Sequence, residues 1–327
     1  MSKIKCAVIG TGYLGKFHAE KYHNLPNAEL VAVCDINQSC SQNIATLYDA
    51  IPYTDYRRLV AETRPEAVSI VVPTSLHHEV TKFFLENNIH VILEKPITTS
   101  LEEADDLIEL AYRKNLILQI GHLERFNPVL LAVQNILDRP MFIESTRLAP
   151  FKLRGTDVCV NLDLMIHDID IVQHLVQSPI KNVQASGAPV LSDNIDITNA
   201  RIEFVNGCIA NFTASRISTK PKRKLRIFQH NAYISTDLND KTLTISHKGV
   251  SNNTITSPAT SNAPEIVKEE MVLEKGDAIL DEIRAFLDSI INKTAPLVSG
   301  EDGRKALATA LQITQLAMSS WQQYLKR

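Results

Sequence analysis

A chain of 327 residues that is 44% hydrophobic is long enough for about two domains, each with a buried core. With 34 Lys and Arg against 37 Asp and Glu, the formal charge of −3 gives no electrostatic reason for a nucleic-acid or anionic-membrane partner, and small-molecule chemistry is the expectation. Five cysteines without a CxxC pair indicate neither a disulfide framework nor a zinc knuckle. Charged Lys3 and Lys5 and the lack of a long apolar run point to a cytoplasmic protein with no signal peptide or membrane helix.

Ile4 to Ile9 reads as an apolar strand that runs into Gly10-Thr11-Gly12-Tyr13-Leu14-Gly15. In this GxGxxG pattern the first glycine permits a tight turn. The second lets the backbone approach a pyrophosphate, and the third lets the next helix pack close to the strand. That helix, predicted over Tyr13 to Asn24, aims its N-terminus at the phosphates. A second strand, Glu29 to Cys34, ends at Asp35, placed to bond a ribose 2′-hydroxyl and to repel a 2′-phosphate. Ile36 and Asn37 bring no cation, so NAD is favoured over NADP. The plainer role for Asp35 is to cap the helix that starts near Asn37.

Strands and helices then alternate: strand Ala67 to Val72, helix Leu76 to Asn87, strand His90 to Leu93, helix Ser100 to Lys114, strand Leu116 to Ile120. This predicts a doubly wound, Rossmann-type parallel sheet, α/β in class, over residues 1–121. From about Met141 the pattern turns to strands separated by turn signals: Arg201 to Val205, Cys208 to Ser215, Leu225 to Phe228, Ala232 to Thr236 and Thr242 to Ser246. They predict an α+β domain with a large, mostly antiparallel open sheet over residues 122–327. Asn206-Gly207 reads as a two-residue hairpin turn, and Ser251 to Pro264 as a surface loop. Two closing helices, Asp277 to Lys293 and Glu301 to Tyr324, are candidates to pack back on the first domain. The basic run Lys220 to Arg226 reads as a solvated strand edge rather than a nucleic-acid surface.

In the second half, Asp163, His167, Asp170 and His174 fall on one stripe of a helix drawn over Asn161 to Val176, with apolar residues nearly all round. Buried ionisable groups need partners or a purpose, and the i, i+4 spacing sets Asp163 beside His167 to tune an imidazole base. A transition metal on the stripe and a satisfied structural network are the rival readings; no metal is expected, since no second ligand cluster stands out in the sequence. Glu94-Lys95-Pro96 follows its strand at the carboxyl edge of the sheet, where ligands of open α/β folds bind. Lys95 is thus aimed at the crevice. Val72-Pro73-Thr74-Ser75-Leu76-His77 holds the same position after its own strand, although a lone histidine there is usually a surface residue.

With GTGYLG, Asp35, VPTSLHHE, EKP and the DxxxH of Asp163 and His167 in view, the chain resembles the Gfo/Idh/MocA family of nicotinamide-dependent oxidoreductases along essentially its whole length. The resemblance implies a cofactor site on Gly10, Thr11, Gly12, Tyr13, Leu14, Gly15, Asp35, Pro73, Thr74, His77, Glu94 and Lys95. It also implies a cis bond before Pro96 and a catalytic set of Lys95, Asp163 and His167. Which of His167 and Lys95 takes the proton stays open. Many members carry a glycine-rich stretch before DxxxH; this chain has Asp157-Val158-Cys159-Val160-Asn161.

Within the family, Ile120 to Pro128 and Ser215-Arg216-Ile217-Ser218 resemble the branch that oxidises the 3-hydroxyl of UDP-N-acetylglucosamine. There the ketone goes on, through a partner aminotransferase, to a 3-amino sugar for lipid A. A diphosphate-linked sugar calls for cations, and Arg125, Arg154 and Arg216, with Asn127, are the candidate substrate contacts. The resemblance further implies a homodimer or homotetramer. The alternatives are a dehydrogenase of inositol, a UDP-uronic acid or another sugar, and a non-catalytic NAD-binding regulator.

Overall fold

The computed structural model describes residues 3–151, 158–249 and 266–326. It comprises two compact units, one of Met1–Phe126 with Asp277–Ala308 and one of Asn127–Gly276 with Thr309–Arg327. The first runs β1 (Ile4–Ile9), α1 (Gly15–Asn24), β2 (Ala28–Cys34), α2 (Gln38–Tyr48), β3 (Ile51–Tyr53), α3 (Tyr56–Thr63) and β4 (Ala67–Ile70). A 3-10 turn (Thr74–Leu76) leads into α4 (His77–Glu86), followed by β5 (His90–Glu94), α5 (Leu101–Arg113), β6 (Leu118–Gly121) and a 3-10 turn (Leu123–Phe126). The second unit holds α6 (Pro128–Ile136), β7 (Phe142–Leu148), a π-helical turn (Asn161–Met165), α7 (Ile166–Val176), β8 (Ile180–Ala188) and β9 (Ile197–Phe204). It continues with β10 (Ile209–Ser215), β11 (Lys222–Gln229), β12 (Ala232–Asp237), β13 (Thr242–Lys248) and β14 (Ile266–Val272). The chain ends in α8 (Ala278–Asn292), which belongs to the first unit, and α9 (Gly300–Leu325), which begins there and ends in the second.

The first sheet has the order β3-β2-β1-β4-β5-β6 with every neighbouring pair parallel. The chain leaves β1 towards one side and returns at β4 on the other, so the ends of β1 and β4 form the switch point where such sheets bind ligands. Cys6, Ala7 and Val8 are fully buried, as expected of a central strand covered on both faces. Side-chain caps start the helices. Asn37 accepts from the Ser39 N–H, Asp55 from Arg57, Ser100 from Glu103 and Asp277 from Leu280, each cap contributing about 1 kcal/mol. The Ile283, Phe286 and Leu287 side chains of α8 join Ile4, Tyr22, Leu30 and Val33 in one core, where a fully buried apolar side chain contributes about 1.5–3 kcal/mol. The predicted domain boundary after residue 121 falls short of the turn Leu123–Phe126, which stays with the first unit.

The second sheet has the order β14-β13-β12-β11-β7-β10-β9-β8 and is antiparallel except for the β7 and β10 pair. Two expectations are corrected here. The basic run lies on β11, an interior strand between β12 and β7; its cations are exposed and face acids on the neighbouring strands, Arg226 with Glu144 and Lys224 with Asp237 at 3.8 Å. The hairpin joining β9 and β10 has a three-residue loop, Val205 to Gly207, because Phe204 pairs with Cys208. Gly207 alone takes the positive φ, 89°, that such a loop requires. Two buried acids anchor this unit. Asp196 accepts the backbone N–H groups of Val190, Leu191 and Ser192 as well as the Arg216 guanidinium. Burial alone would raise its pKa, but the Leu191, Val190 and Ser192 N–H groups and the Ser192 hydroxyl hold the carboxyl well below the usual range. Asp168, on α7, faces Arg147 on β7. No helix among the described residues is long and apolar enough to cross a membrane.

Candidate active site

At the end of β1, Gly10 has φ +88°, and a Cβ there would lie 2.2 Å from the Val71 carbonyl oxygen; a Cβ on Gly15 would lie 1.8 Å from that of Gly10. Both glycines are therefore fixed by close packing. Gly12 differs, since a Cβ built on it meets nothing within 4 Å, leaving the second glycine beside open space as pyrophosphate approach demands. The N-terminus of α1 carries no side-chain cap, unlike α2, α3 and α5; the Lys16 N–H goes to the Gly12 carbonyl and the Phe17 N–H to that of Leu14. Asp35 is not the cap of α2; that role is taken by Asn37. The half-buried Asp35 carboxylate instead accepts the Thr11 N–H at 2.8 Å and the Asn37 N–H at 2.9 Å, tying the glycine turn to the end of β2. These features fit NAD. Thr11 is buried, Leu14 half-buried, and Tyr13 exposed with its ring edge-on to Phe17.

A test follows from the glycines. Gly12→Val is expected to keep the parent melting temperature but to weaken NAD binding at least about tenfold, since it fills only the pyrophosphate approach. Gly15→Ala should lower the melting temperature instead. Calorimetric NAD titration beside thermal melts separates the two, and unchanged NAD affinity in Gly12→Val would contradict this placement.

Beyond β4, Pro73 is exposed and Thr74 half-buried at the start of a 3-10 turn. His77 departs from the surface reading: it is 1% exposed. Its Nδ1 lies 2.8 Å from the Pro96 carbonyl and its Nε2 3.0 Å from that of Val72. The ring thus bridges the Glu94-Lys95-Pro96 turn and the end of β4; burial pushes its pKa down while the two carbonyls push it up, and a neutral ring can donate to only one of them. Lys95, half-buried, follows β5 at the carboxyl edge, and the Lys95-Pro96 bond is cis, as the resemblance implied. Its backbone N–H points to the Glu94 carboxylate at 3.3 Å.

In the second unit, Asp163 sits on the π-helical turn and His167 on the first turn of α7. The predicted single α-helix is thus two segments, and the Asp163 to His167 spacing crosses their junction. π turns of this kind recur at functional sites. Asp163 and His167 are half-buried, Asp170 is buried, and His174 bonds Gln134. Asp168, which interrupts the apolar residues of α7, is 4% exposed and accepts from both Nε and Nη2 of Arg147 at 2.8–3.1 Å.

The expected substrate contacts have other partners where they are described. Arg216, 4% exposed, gives its Nε to Asp196 and its Nη1 to the Val158 carbonyl, both at 2.8 Å. It braces the start of the π turn rather than presenting a fork to a diphosphate. Asn127 caps α6 through Val129 and reaches the Leu238 carbonyl. Arg125 is 3% exposed on the turn Leu123–Phe126, and Arg154 lies outside the described residues. One cluster escaped the sequence. His18, Glu94 and Glu282 come from α1, β5 and α8 and bring ligand-type atoms within 4.8 Å of one another, and no spacing motif could have joined positions so far apart.

Comparison with known proteins gives the same assignment. Residues 4–122 match the oxidoreductase family with the NAD-binding Rossmann fold, and residues 150–235 the Gfo/Idh/MocA C-terminal domain. The chain is 37% identical to the UDP-N-acetylglucosamine 3-dehydrogenase of Acidithiobacillus ferrooxidans, over 96% of this chain and 97% of that protein. A solved structure of that enzyme superposes with a TM-score of 0.90, covering 98% of this chain and 99% of that one at 35% identity. The myo-inositol 2-dehydrogenase of Thermotoga maritima is 25% identical over 93% of each chain. The chain belongs to the Gfo/Idh/MocA family of NAD-binding oxidoreductases.

Proposed function

We propose that this oxidoreductase takes the 3-hydroxyl of UDP-N-acetylglucosamine to the 3-ketone, with NAD as the oxidant. The observation that carries the reading is the end-to-end similarity, 37% identity over 96% of the chain, to a dehydrogenase of that substrate. When bound, NAD supplies the hydride acceptor. The Gly10 to Gly15 turn and the α1 amides would hold its pyrophosphate, and Asp35 its adenosine ribose.

Lys95 and His167 are the proposed acid–base pair, with Asp163 orienting the imidazole. A cationic or hydrogen-bonding group at the hydroxyl favours the developing alkoxide, and a base removes its proton; either residue can fill either role. Arg125 and Arg154 are the proposed diphosphate contacts; Arg216 is engaged by Asp196. The 3-ketone is a substrate for an aminotransferase, which places the reaction before a 3-amino sugar of lipid A. Five free cysteines accord with a reducing cytoplasm. The open face of the second sheet, a polar hollow lined by Glu144, Asn199, Arg201, Asn211 and Arg226, is proposed as the homodimer or homotetramer contact.

The test is NADH formation with UDP-N-acetylglucosamine, run beside free N-acetylglucosamine, UDP-glucose, the UDP-uronic acid and myo-inositol, with a coupled aminotransferase removing the ketone. A signal with UDP-N-acetylglucosamine alone is expected. Turnover of another polyol instead would discard the substrate and keep the chemistry. NAD binding with no turnover of any substrate would favour a regulator.

A further inference from the structure

Beneath the Glu94-Lys95-Pro96 turn lies a set of polar side chains that the proposed chemistry does not use. Glu282, on α8, is 1% exposed, and neither of its carboxylate oxygens has a hydrogen-bond partner. Glu94 lies close enough for their oxygens to fall within 4.8 Å, together with His18 Nε2. The His18 ring stands 3.6 Å from the Glu94 carboxylate through Nε2 and 3.0 Å from the Ser69 hydroxyl through Nδ1, and Tyr22 reaches the same hydroxyl at 2.9 Å. At 3.6 Å His18 Nε2 makes no hydrogen bond to Glu94; the ring is held through Nδ1 by the Ser69 hydroxyl, which Tyr22 shares. The main chain has been shaped around Glu94. A Cβ on Gly121 would sit 3.1 Å from the Glu94 carboxyl carbon and oxygen.

Two carboxylates this close in a dry interior cannot both be charged. The Glu94 side chain is 15% exposed and takes the Lys95 N–H at 3.3 Å, whereas Glu282 is buried and neither of its oxygens accepts a hydrogen bond. The proton therefore belongs to Glu282. We propose that Glu282 is a positioning residue for Lys95: held neutral beneath the turn, it lets the Glu94 carboxylate stay on the Lys95 backbone N–H, and its ionisation at alkaline pH displaces Glu94 and the turn with it. Burial first and the Glu94 charge second push the Glu282 carboxyl well above the usual range, in agreement. His18 and Tyr22 of α1 face the cluster, and the Leu123–Phe126 turn packed against α8 brings buried Glu124 and Arg125, with buried His122 just before it. Cys6 of β1 stands by Tyr22, and burial pushes both Cys6 and Tyr22 up, so they stay protonated.

The inference rests on Lys95 being an acid–base group. Glu282→Gln is isosteric and permanently neutral. It is expected to leave kcat near neutrality within a few-fold and the KM for NAD unchanged, while moving the alkaline limb of the kcat profile up by at least about one pH unit. A residue that merely packs would not move that limb, so superimposable profiles overturn the proposal. Gly121→Ala reaches Glu94 from the other side. It is expected to lower kcat about tenfold or more with NAD affinity retained, the scale of a small misplacement of a catalytic group, and an unchanged kcat overturns the proposal even where Glu282→Gln does not fold. One equivalent of zinc or iron in the purified protein, whose removal by a chelator moves the same limb, would also overturn it, because the three side chains would then be ligands. If Lys95→Met turns over normally, the reading of Lys95 fails; if it is slow while the Glu282→Gln profile matches the parent, only this inference fails.

Discussion

Lys95→Met and His167→Asn are each expected to bind NAD nearly as tightly as the parent chain and to turn over roughly two to four decades more slowly, the usual scale for loss of a general acid or base. The separation of binding from chemistry follows from where the side chains sit. The proposed NAD contacts, the Gly10 to Gly15 turn, the α1 N-terminus and Asp35, lie on other elements than Lys95 and His167. Met keeps the length of the Lys95 side chain and removes the ammonium. Asn keeps a polar group at His167 and removes the titration. Neither change touches the His77 bridge between the Lys95-Pro96 turn and the end of β4. NADH formation gives kcat, and fluorescence titration gives NAD affinity. Parent-like turnover in both variants would sink the acid–base assignment, and a parallel loss of NAD binding would recast the residues as part of the cofactor cradle.

The parts of the fold that were legible in the sequence are those where one force acts on a run of residues. The first sheet is buried on both faces, so β1, β2, β4 and β5 appear as continuous apolar runs punctuated by glycine or proline. The glycine turn was legible because each glycine answers a separate steric demand. β3 escaped, being a three-residue edge strand with Pro52 at its centre, and so did β14, whose exposed IVKEEMV edge carries the charges that keep sheet edges from pairing. β7 escaped for a different reason. Its inward positions are Ile143, Ser145 and Arg147, and a buried arginine breaks the alternation that marks a half-buried strand. The same long-range pairing accounts for Asp168, a buried carboxylate among the apolar residues of α7. His77, Arg216 and Glu282 show the same limit at the site. Each owes its role to partners brought in by the fold, which no local pattern encodes.

That buried pair is the basis of the second large effect. Asp168→Asn is expected to destabilise the second unit by about 3–5 kcal/mol, because it removes the counter-charge of a guanidinium held in the interior. The Arg147 and Asp168 side chains are 3% and 6% exposed, so water cannot take the place of the carboxylate. The surface pair Arg58 and Glu62, with side chains 70% and 46% exposed, should by contrast be worth no more than about 1 kcal/mol. For a unit of this size the loss corresponds to a fall in melting temperature of roughly 6–20 °C, read by scanning calorimetry. The double variant Arg147→Met, Asp168→Leu should recover most of it, since apolar side chains of similar volume replace a buried pair at little cost. A shift in Asp168→Asn no larger than that of a surface substitution would show that the pair carries no such load. Asp168 follows His167 on the first turn of α7, so the pair also sets how that turn meets β7. Asp168→Asn should therefore lower kcat even well below its melting temperature, and the double variant, with its melting temperature restored, separates loss of stability from loss of aim at His167.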